Sequence, residues 1–440
     1  MPFLSVIMIV RNEEHCLGEC LENVAAIANE LVIGDTGSVD GTRDIAARYG
    51  ARVLDTLWQE DFAAARNHVL AAASGDWLLH LDADEVLDPK GATRVRELVD
   101  ADGRGADAIE VTLANYCDDP YAWRWTPVTP GDPWARGRSG YIKTELLRLF
   151  RNRRGFEYRE PVHENITQSV IERGGVVRKE PVIIHHYGYR SGGRERSSKS
   201  RVYLAILRRK VEAYPNDPKA WHDLAEQLLA CGDAPGAEQA CRKALVLEPM
   251  DLNAATTLAN LLLNRGELDA AHELLSRLDE AGIGPPHVLA ALGAIACKRG
   301  RIEEARRRLE GALAATPDYL VARLYLARAL DLLGLEAEAR EQLTLASRAA
   351  PTLIEFQQRL EAHQLRKASV EHFRQGRTRE ALETFVTALR LDSEDPLIHN
   401  NLGVLLSSLG DATRAKECFE RALRLAPGMS EAAENLRSLR

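Results

Sequence analysis

The stretch Trp77-Leu78-Leu79-His80-Leu81-Asp82-Ala83-Asp84 decides the fold of the first half of the chain. Its apolar residues predict a buried strand, and two carboxylates follow where that strand ends. Three earlier apolar runs also predict strands, and a helical pattern follows each of them; these runs are residues 4–10, 31–34 and 52–57. Because strands alternate with helices, we expect an α/β domain with a mostly parallel sheet that helices cover on both faces.

A second polar turn follows the predicted strand at residues 31–34. It reads Asp35-Thr36-Gly37-Ser38-Val39-Asp40-Gly41-Thr42 and leads into a predicted helix. Ligands bind such sheets at the carboxyl ends of the strands, so Asp35, Asp82 and Asp84 are candidates for one site. Two carboxylates one residue apart can share a divalent cation, because Mg²⁺ and Mn²⁺ prefer oxygen ligands. The alternative for both segments is ordinary turn and helix-cap chemistry.

The composition argues against several classes of protein. A chain of 440 residues is too long for one ordinary core and predicts roughly two or three domains. The net charge of −8 leaves no excess of Lys and Arg for phosphates, so no nucleic-acid partner is expected. No apolar run reaches the roughly 18 residues of a membrane span, and the start lacks signal-peptide features, so we expect a cytoplasmic protein. The seven scattered cysteines predict free thiols, not a disulfide framework.

Two segments interrupt the regular pattern. Residues 115–138 contain four prolines and three of the six tryptophans, at Trp123, Trp125 and Trp134. Proline at this density predicts a long irregular loop, and such loops are usually lids or binding loops. Residues 191–198 are rich in Gly, Ser and Arg and predict a loop or hinge, within a linker or helical connection that spans residues 191–217.

From residue 218 onward, large and small apolar positions recur every 34 residues, starting with Trp221, Leu224 and Ala225. The pattern predicts tetratricopeptide repeats, an all-α solenoid of stacked helix pairs, with a capping helix at residues 430–440. The predicted units are residues 218–251, 252–285, 286–319, 320–353, 362–395 and 396–429. The eight residues skipped at 354–361 predict either a lengthened helix or a hinge.

Stacked repeats form a concave groove, which is a binding architecture. An extended peptide or protein acceptor would use the length of such a groove. The alternative is that the repeats only support the first domain or join it in a homodimer.

Four segments within residues 1–190 together resemble the family 2 glycosyltransferases of GT-A fold, whose sheet is Rossmann-like. In chain order they read SVIMIVRNEE (5–14), GDTGSVDGT (34–42), DFAAARN (61–67) and WLLHLDADE (77–85). The similarity is to the bacterial branch that contains lipooligosaccharide-core glucosyltransferases and the sublancin-type peptide S-glycosyltransferases. The resemblance implies a metal-dependent, inverting enzyme that uses Mg²⁺ or Mn²⁺ and a UDP-sugar, with UDP-glucose or UDP-N-acetylglucosamine as the expected donor.

The resemblance also implies roles for residues that bind the donor. Val10, Asn12 and Glu13 would border the base and the ribose of the nucleotide. Asp35 would accept a hydrogen bond from the uracil ring N–H, a role that suits a carboxylate because it only accepts hydrogen bonds.

Three residues would lie near the phosphates and the metal by the same resemblance. Arg66 would pair with the pyrophosphate or with the aspartates, although a structural ion pair is the alternative. Asp82 would contact the ribose or the sugar, and Asp84 would ligate the metal as part of the catalytic group.

Two further segments complete the implied site. His185-His186-Tyr187-Gly188-Tyr189 resembles the segment that closes the catalytic domain in this branch, where a late histidine completes the metal site. We expect His186 to be that ligand, with His185 as the alternative. Glu164 would be the base that takes the acceptor's proton in an inverting transfer, and its alternative is a structural role in a loop.

Two alternative functions differ from this expectation, one in the acceptor of the sugar and one in the absence of catalytic activity. The same chemistry could act on a lipid-linked or lipopolysaccharide acceptor, or the chain could be an inactive repeat scaffold. The complete set of Asp35, Asp82, Asp84, Glu164 and His186 argues against an inactive scaffold.

Overall fold

The computed structural model describes residues 1–188 and 193–439, and of residues 193–199 it describes the helical backbone alone. The chain forms two compact units. The first contains Met1–Asp118 and Pro133–Leu247, and the second contains Asp119–Asp132 and the chain from Glu248 onward. The predicted domain boundaries were set by the repeat pattern, whereas these two units are defined by which residues pack together. The helices of the first predicted repeat pack in the first unit.

The first unit is an α/β fold around one mixed sheet. The described strands are β1 (Leu4–Val10), β2 (Glu30–Asp35), β3 (Arg52–Asp55), β4 (Trp77–His80), β5 (Glu85–Leu87), β6 (Ala108–Cys117), β7 (Trp125–Pro127, in the second unit), β8 (Gly140–Arg151) and β9 (Val177–His186). The strands of the first unit lie in the order β3-β2-β1-β4-β8-β6-β9-β5. Neighbours among β1 to β4 are parallel, as the sequence predicts. By contrast, β8 is antiparallel to β4 and β6, because the irregular connection from β6 to β8 contains no crossover helix.

Helices cover both faces of this sheet. They are α1 (Leu17–Val24), α2 (Thr42–Arg48), α3 (Phe62–Ala72), α4 (Pro89–Asp100) and α5 (Thr167–Glu172). In β1, Leu4, Val6 and Met8 belong to one core cluster, whereas Ile7 belongs to the other. Successive side chains of a strand point to opposite faces, so an uninterrupted apolar run is the sequence of a strand that is buried on both sides.

Helix α6 (Gly193–Ala213) forms most of the segment that was predicted as a linker or helical connection. Of the loop predicted at residues 191–198, residues 191 and 192 lie outside the described residues, and the chain is helical from Gly193 onward. The prediction of a loop over 193–198 was therefore wrong. It rested on Gly, Ser and Arg content, and local composition is a weak guide where a long helix continues.

Helix pairs follow at the period that the sequence predicts. They are α7 (Pro218–Ala230) with α8 (Ala234–Leu247), α9 (Leu252–Asn264) with α10 (Leu268–Glu280), α11 (Pro286–Lys298) with α12 (Ile302–Ala315), α13 (Leu320–Leu332) with α14 (Glu336–Ala349), α15 (Ile354–Arg374) with α16 (Thr378–Leu391), and α17 (Pro396–Ser408) with α18 (Ala412–Leu425), and α19 (Ser430–Ser438) closes the array. Helix α15 has 21 residues where α13 and α17 have 13 each, so the eight skipped residues lengthen a helix. Across the described residues, no helix is both long enough and apolar enough to cross a membrane.

The segment Asp119–Asp132 packs within the second unit. The ring of Trp123 lies against His287 of α11, with centroids 4.7 Å apart, and against Tyr319, at 5.1 Å. The hydroxyl of Tyr121 donates a hydrogen bond to Glu355 of α15. The segment is irregular apart from the short strand β7, and its aromatic residues are used in packing against repeat helices.

Small residues let the paired helices of a repeat approach closely. A Cβ on Gly403 of α17 would lie 2.6 Å from a ring carbon of the buried Phe419 of α18. The glycine at position 311 of α12 has room by comparison, since the nearest neighbour of a Cβ there, Leu289, would be 3.7 Å away.

We predict that Gly403→Ala destabilises the repeats by about 1–3 kcal/mol, because the added methyl group overpacks the Phe419 ring. Urea unfolding of the full-length protein, followed by circular dichroism, measures the effect. Gly311→Ala is the matched control, and helix propensity there predicts a gain of up to about 1 kcal/mol. Equal stabilisation by both substitutions would contradict the packing of Gly403 against Phe419.

Candidate functional site

The candidate site lies at the carboxyl ends of the parallel strands. Val10 ends β1 opposite Asp35, which ends β2. The loop between β4 and β5 follows the neighbouring strand and carries Asp82 and Asp84. Because these strands are parallel, their carboxyl ends share one edge of the sheet, and this edge collects residues from distant parts of the sequence.

A buried arginine connects two of the predicted site residues. Arg66 of α3 donates from Nη2 to Asp82 Oδ1 at 2.8 Å and from Nε to Glu164 Oε1 at 2.6 Å. Burial acts to raise the pKa of Asp82, but Arg66, His80 and Arg148 together outweigh it and hold that pKa well below its usual range. Arg66 thus pairs with the aspartate cluster in this structure, and Glu164 lies on the same guanidinium.

The predicted metal ligands lie side by side. His186 Nε2 is 3.4 Å from Asp84 Oδ2, because antiparallel pairing of β5 with β9 brings the end of β9 next to the Asp84 loop. His186 Nδ1 is 2.7 Å from the side-chain oxygen of Asn115. With the proton on Nδ1, this contact is a donated hydrogen bond that leaves the Nε2 lone pair toward Asp84, as in histidines that ligate metals. Burial acts to lower the pKa of His186, but Asp84, with Glu85 and Asp82, outweighs burial and the pKa is raised.

Space beside these two atoms depends on a glycine. A Cβ on Gly188 would lie 2.6 Å from His186 Nε2 and 2.8 Å from Asp84 Oδ2. A carboxylate oxygen and an imidazole nitrogen that share a small space free of side-chain carbon fit Mg²⁺ or Mn²⁺.

His185 points to the other side of β9. Its Nδ1 is 2.9 Å from the hydroxyl of Tyr116, and its ring stacks on Trp134 with centroids 4.6 Å apart. Adjacent residues of a strand face opposite sides of the sheet, so only one of the two histidines can face Asp84. The structure places His186 there.

The residues predicted to bind the base and the ribose form a connected wall. The backbone N–H of Asn12 donates to Ser38 Oγ at 2.9 Å, and that of Glu13 donates to Thr42 Oγ1 at 2.7 Å. Asn12 has φ +56, a left-handed turn that ends the strand after Val10. The loop after β1 and the turn after β2 therefore hold each other in place.

Asp35 already has partners within the chain. It accepts a hydrogen bond from the backbone N–H of Ser38 at 3.1 Å and forms an ion pair with Arg43 at 2.9 Å. Its side chain is 1% exposed, whereas that of Arg43 is 45% exposed. Access of a ligand to the Asp35 carboxylate would therefore require movement of the Arg43 side chain.

A layer of buried polar residues beneath the aspartates was not predicted. Arg148 of β8 donates to Glu85 and lies 3.5 Å from Asp82 Oδ2, while the Tyr158 hydroxyl is 2.9 Å from His80 Nδ1. Burial raises the pKa of Glu85, and repulsion from Asp82 adds to the rise despite the Arg148 guanidinium. A charged residue inside the apolar run of β8 was the sequence signal for Arg148. Asn115 gave no such signal.

A second set of potential metal ligands lies outside this cluster. Among the described residues, Glu13, His15 and Cys16 each offer a ligand atom within 4.8 Å of the others. They are neighbours in one loop, and short sequence separation alone brings them together.

Comparison with known proteins assigns the two parts of the chain. Residues 5–173 match the model of Glycosyl transferase family 2. Tetratricopeptide repeat models match residues 218–243, 252–277, 296–362 and 367–430. The chain therefore carries a family 2 glycosyltransferase domain followed by tetratricopeptide repeats, which confirms the resemblance seen in the sequence.

Curated relatives extend this assignment. A TPR repeat-containing protein of Synechococcus elongatus is 29% identical over 96% of this chain and 92% of its own length. The SPbeta prophage-derived glycosyltransferase SunS of Bacillus subtilis is 23% identical over 50% of this chain and 47% of its own length. The lipopolysaccharide core biosynthesis glycosyltransferase LpsC of Rhizobium meliloti is 31% identical over 37% of this chain and 56% of its own length. The chain thus spans about half the length of these two glycosyltransferases.

The geometry at Gly188 predicts how the site responds to substitution. If Asp84 ligates a metal, as the resemblance implies, Asp84→Asn removes an anionic ligand and Gly188→Ala fills the space beside it, so each should weaken Mn²⁺ binding about tenfold or more. Isothermal titration of Mn²⁺ into the full-length protein with UDP present measures this affinity. Asp251→Asn is the control, because Asp251 caps α9 by accepting from the N–H groups of Asn253 and Ala254 and asparagine caps equally well. Wild-type affinity in both site variants would contradict the assignment.

Proposed function

We propose that this protein is a metal-dependent, inverting glycosyltransferase that moves a sugar from a UDP-sugar to a peptide or protein acceptor. UDP-glucose and UDP-N-acetylglucosamine are the expected donors. The observation that carries the proposal is the cluster at the carboxyl edge of a family 2 domain, where Arg66 joins Asp82 to Glu164 and Asp84 lies beside His186.

Asp84 and His186 would hold Mg²⁺ or Mn²⁺ in this proposal. A divalent cation at a nucleotide-sugar site neutralises negative charge that grows on the leaving diphosphate. Asn115 orients the imidazole by its contact with Nδ1, and Gly188 leaves the space open. Arg66 supplies a fixed positive charge beside Asp82, where it can also face the diphosphate.

Glu164 would act as the base. The acceptor atom gives its proton to the Glu164 carboxylate and forms a bond to the anomeric carbon from the face opposite the diphosphate. The bond from that carbon to the diphosphate oxygen breaks, and its electron pair leaves with UDP. The anomeric configuration inverts because the reaction is a single displacement. Arg66 holds the Glu164 carboxylate by the 2.6 Å contact, so the base does not turn away.

The nucleotide would lie along the wall built by Val10, Asn12, Glu13 and Asp35. A carboxylate has about four acceptor positions, so Asp35 can accept from a uracil N–H while it keeps Ser38 N–H. The exposed Arg43 side chain would move aside to admit the base.

The repeats would bind the acceptor. In the second unit, a small cavity of about 40 Å³ lies among α13, α15 and α17 and the turn before α17. Charged side chains of both signs line it; they are Arg328, Asp331, Arg359, His363, Asp392 and Asp395. Burial raises the pKa of Asp392, although the guanidinium groups of Arg359 and Arg328 act to lower it. A charged side chain of a peptide acceptor would contact this lining, and a homodimer contact is the alternative use of the surface.

A lipopolysaccharide or lipid-linked acceptor is the second candidate. The 31% identity to LpsC, whose name assigns it to lipopolysaccharide core biosynthesis, favours it. The donor chemistry would be the same, so a comparison of peptide and saccharide acceptors with one donor separates the two candidates.

We predict that Glu164→Gln lowers sugar transfer by ~10²-fold or more while UDP-sugar affinity stays nearly unchanged, because glutamine keeps the shape but accepts no proton. UDP release from a panel of UDP-sugars, with Mg²⁺ or Mn²⁺ and with EDTA, identifies the donor and the metal requirement before the variant is assayed. Glu157→Gln is the control, since Glu157 is a nearby exposed carboxylate that pairs with Arg159. Normal transfer at saturating donor in Glu164→Gln, or full activity in EDTA, would refute this mechanism.

A variant of the cavity tests the acceptor site. We predict that Asp392→Asn raises the KM of a peptide acceptor about tenfold, because a charged contact worth roughly 1.4 kcal/mol is lost. Donor hydrolysis without acceptor should stay at the wild-type rate. The acceptor for the assay is a peptide that the wild-type protein glycosylates in a peptide-library screen. Arg379→Met, which removes an exposed charge from α16, is the control. An unchanged KM in Asp392→Asn would assign the acceptor to another surface.

A further inference from the structure

The loop that carries Glu164 has an energetically unfavourable backbone conformation. Glu160 has φ +73 and His163 has φ +57, and both are in the left-handed region that residues with a side chain seldom adopt. The backbone of Arg159 and that of Asn165 close the loop with two hydrogen bonds, of 3.2 and 3.3 Å. Strained residues of this kind persist only where the surroundings hold them, so the contacts of this loop determine where Glu164 lies.

Opposite ends of the loop are held by different helices. Glu164 pairs with Arg66 of α3. Glu160 Oε2 accepts from Lys210 of α6 at 2.5 Å and from Lys219 of α7 at 2.8 Å. The loop is therefore fixed between a helix of the family 2 domain and two helices that follow it in the chain.

The Lys210 ammonium is buried and its partners are specific. Its side chain is 4% exposed, and Nζ also donates to Asp223 of α7 at 3.1 Å. Lys219 contacts the same two carboxylates but is half exposed. A buried ammonium is tolerated only when it is paired, so Lys210 fixes the positions of Glu160 and Asp223 together.

A second contact brings α6 to the same place. The ring of Tyr203 stacks on Phe62 with centroids 5.1 Å apart and an angle of 13° between the planes. Phe62 begins α3 one turn before Arg66, and its backbone N–H donates to the carbonyl of Pro161 in the loop. Helix α6 therefore contacts both the start of α3 and the loop that carries Glu164.

We propose that Lys210 and Asp223 are positioning residues that act through Glu160 to hold Glu164 in its working place. The proposal rests on the role of Glu164 as the base. Neither residue lies within residues 5–173, where the family 2 match falls. Helix α6 and the first repeat helix would then be parts of the catalytic unit, in addition to being the start of the repeat array.

The first experiment compares kinetics in the full-length protein. Lys210→Met and Glu160→Gln should each lower kcat for UDP-sugar turnover about tenfold or more, with the KM of the donor within about twofold of wild type. Because both residues act through one contact, kcat of the double variant should fall no further than kcat of the slower single variant. Arg242→Met is the control, since it removes an ion pair with Glu238 on α8 of the same unit. Additive losses, or wild-type kcat in both single variants, would overturn the proposal.

The second experiment does not depend on activity. The Asn165 amide donates to the Arg159 carbonyl and the Phe62 amide donates to the Pro161 carbonyl. Hydrogen exchange at these two amides should speed up about tenfold in Lys210→Met and stay unchanged in Arg242→Met. Unchanged exchange in Lys210→Met would overturn the proposal even if kcat falls. Should Lys210→Met fail to fold, Glu160→Gln keeps the shape of the side chain and gives the same comparison.

The two experiments separate this proposal from the proposed function. If the wild-type protein releases UDP from no UDP-sugar, the proposed function fails, while the exchange measurement still decides whether Lys210 holds the loop. If exchange speeds up and kcat stays at the wild-type value, the loop is held as described but the positioning role is overturned.

Discussion

A buried guanidinium is the constraint on which the candidate site depends. Arg66 is 7% exposed, and a charge so far from water is tolerated only when opposite charges surround it. Asp82 and Glu164 supply those charges, although Glu164 is 98 residues away in the chain. Helix α3, the loop after β4 and the loop that carries Glu164 are consequently held as one group. The carboxylates that we propose for donor binding and for catalysis are also the ones that neutralise the arginine.

Sequence similarity and packing set different limits for the catalytic part of the chain. The family 2 match ends at residue 173, whereas the compact first unit continues to Leu247. The difference has a physical origin in the pairing of Lys210 and Lys219 with Glu160, together with the stacking of Tyr203 on the first turn of α3. A family model describes what many relatives share, while these contacts involve helices that lie beyond the matched residues.

The second unit has features that a plain repeat array lacks. Helix α15 is lengthened by two turns, and Tyr121 and Trp123 pack against the repeats. The charged cavity is lined in part by α15, through Arg359 and His363. In the sequence, the break in the repeat period and the aromatic segment are two separate irregularities. In the structure, both belong to the same stack of helices.

Local patterns in the sequence determined the alternation of the first four strands with helices, the 34-residue period, and the position of Asp82 and Asp84 after a strand, because spacing and residue type carry that information. The expectation for Glu164 came from the resemblance to a family. Local patterns in the sequence could not predict the contacts between distant segments. Strand pairing, and not the order of residues, decided that His186 faces Asp84, while Arg43 covers the expected base-binding carboxylate of Asp35. Only the tertiary structure shows that Lys210 is buried and paired, since burial and ion pairing exist only once the chain has folded. Only the structure likewise shows that the eight skipped residues lengthen a helix and do not form a hinge.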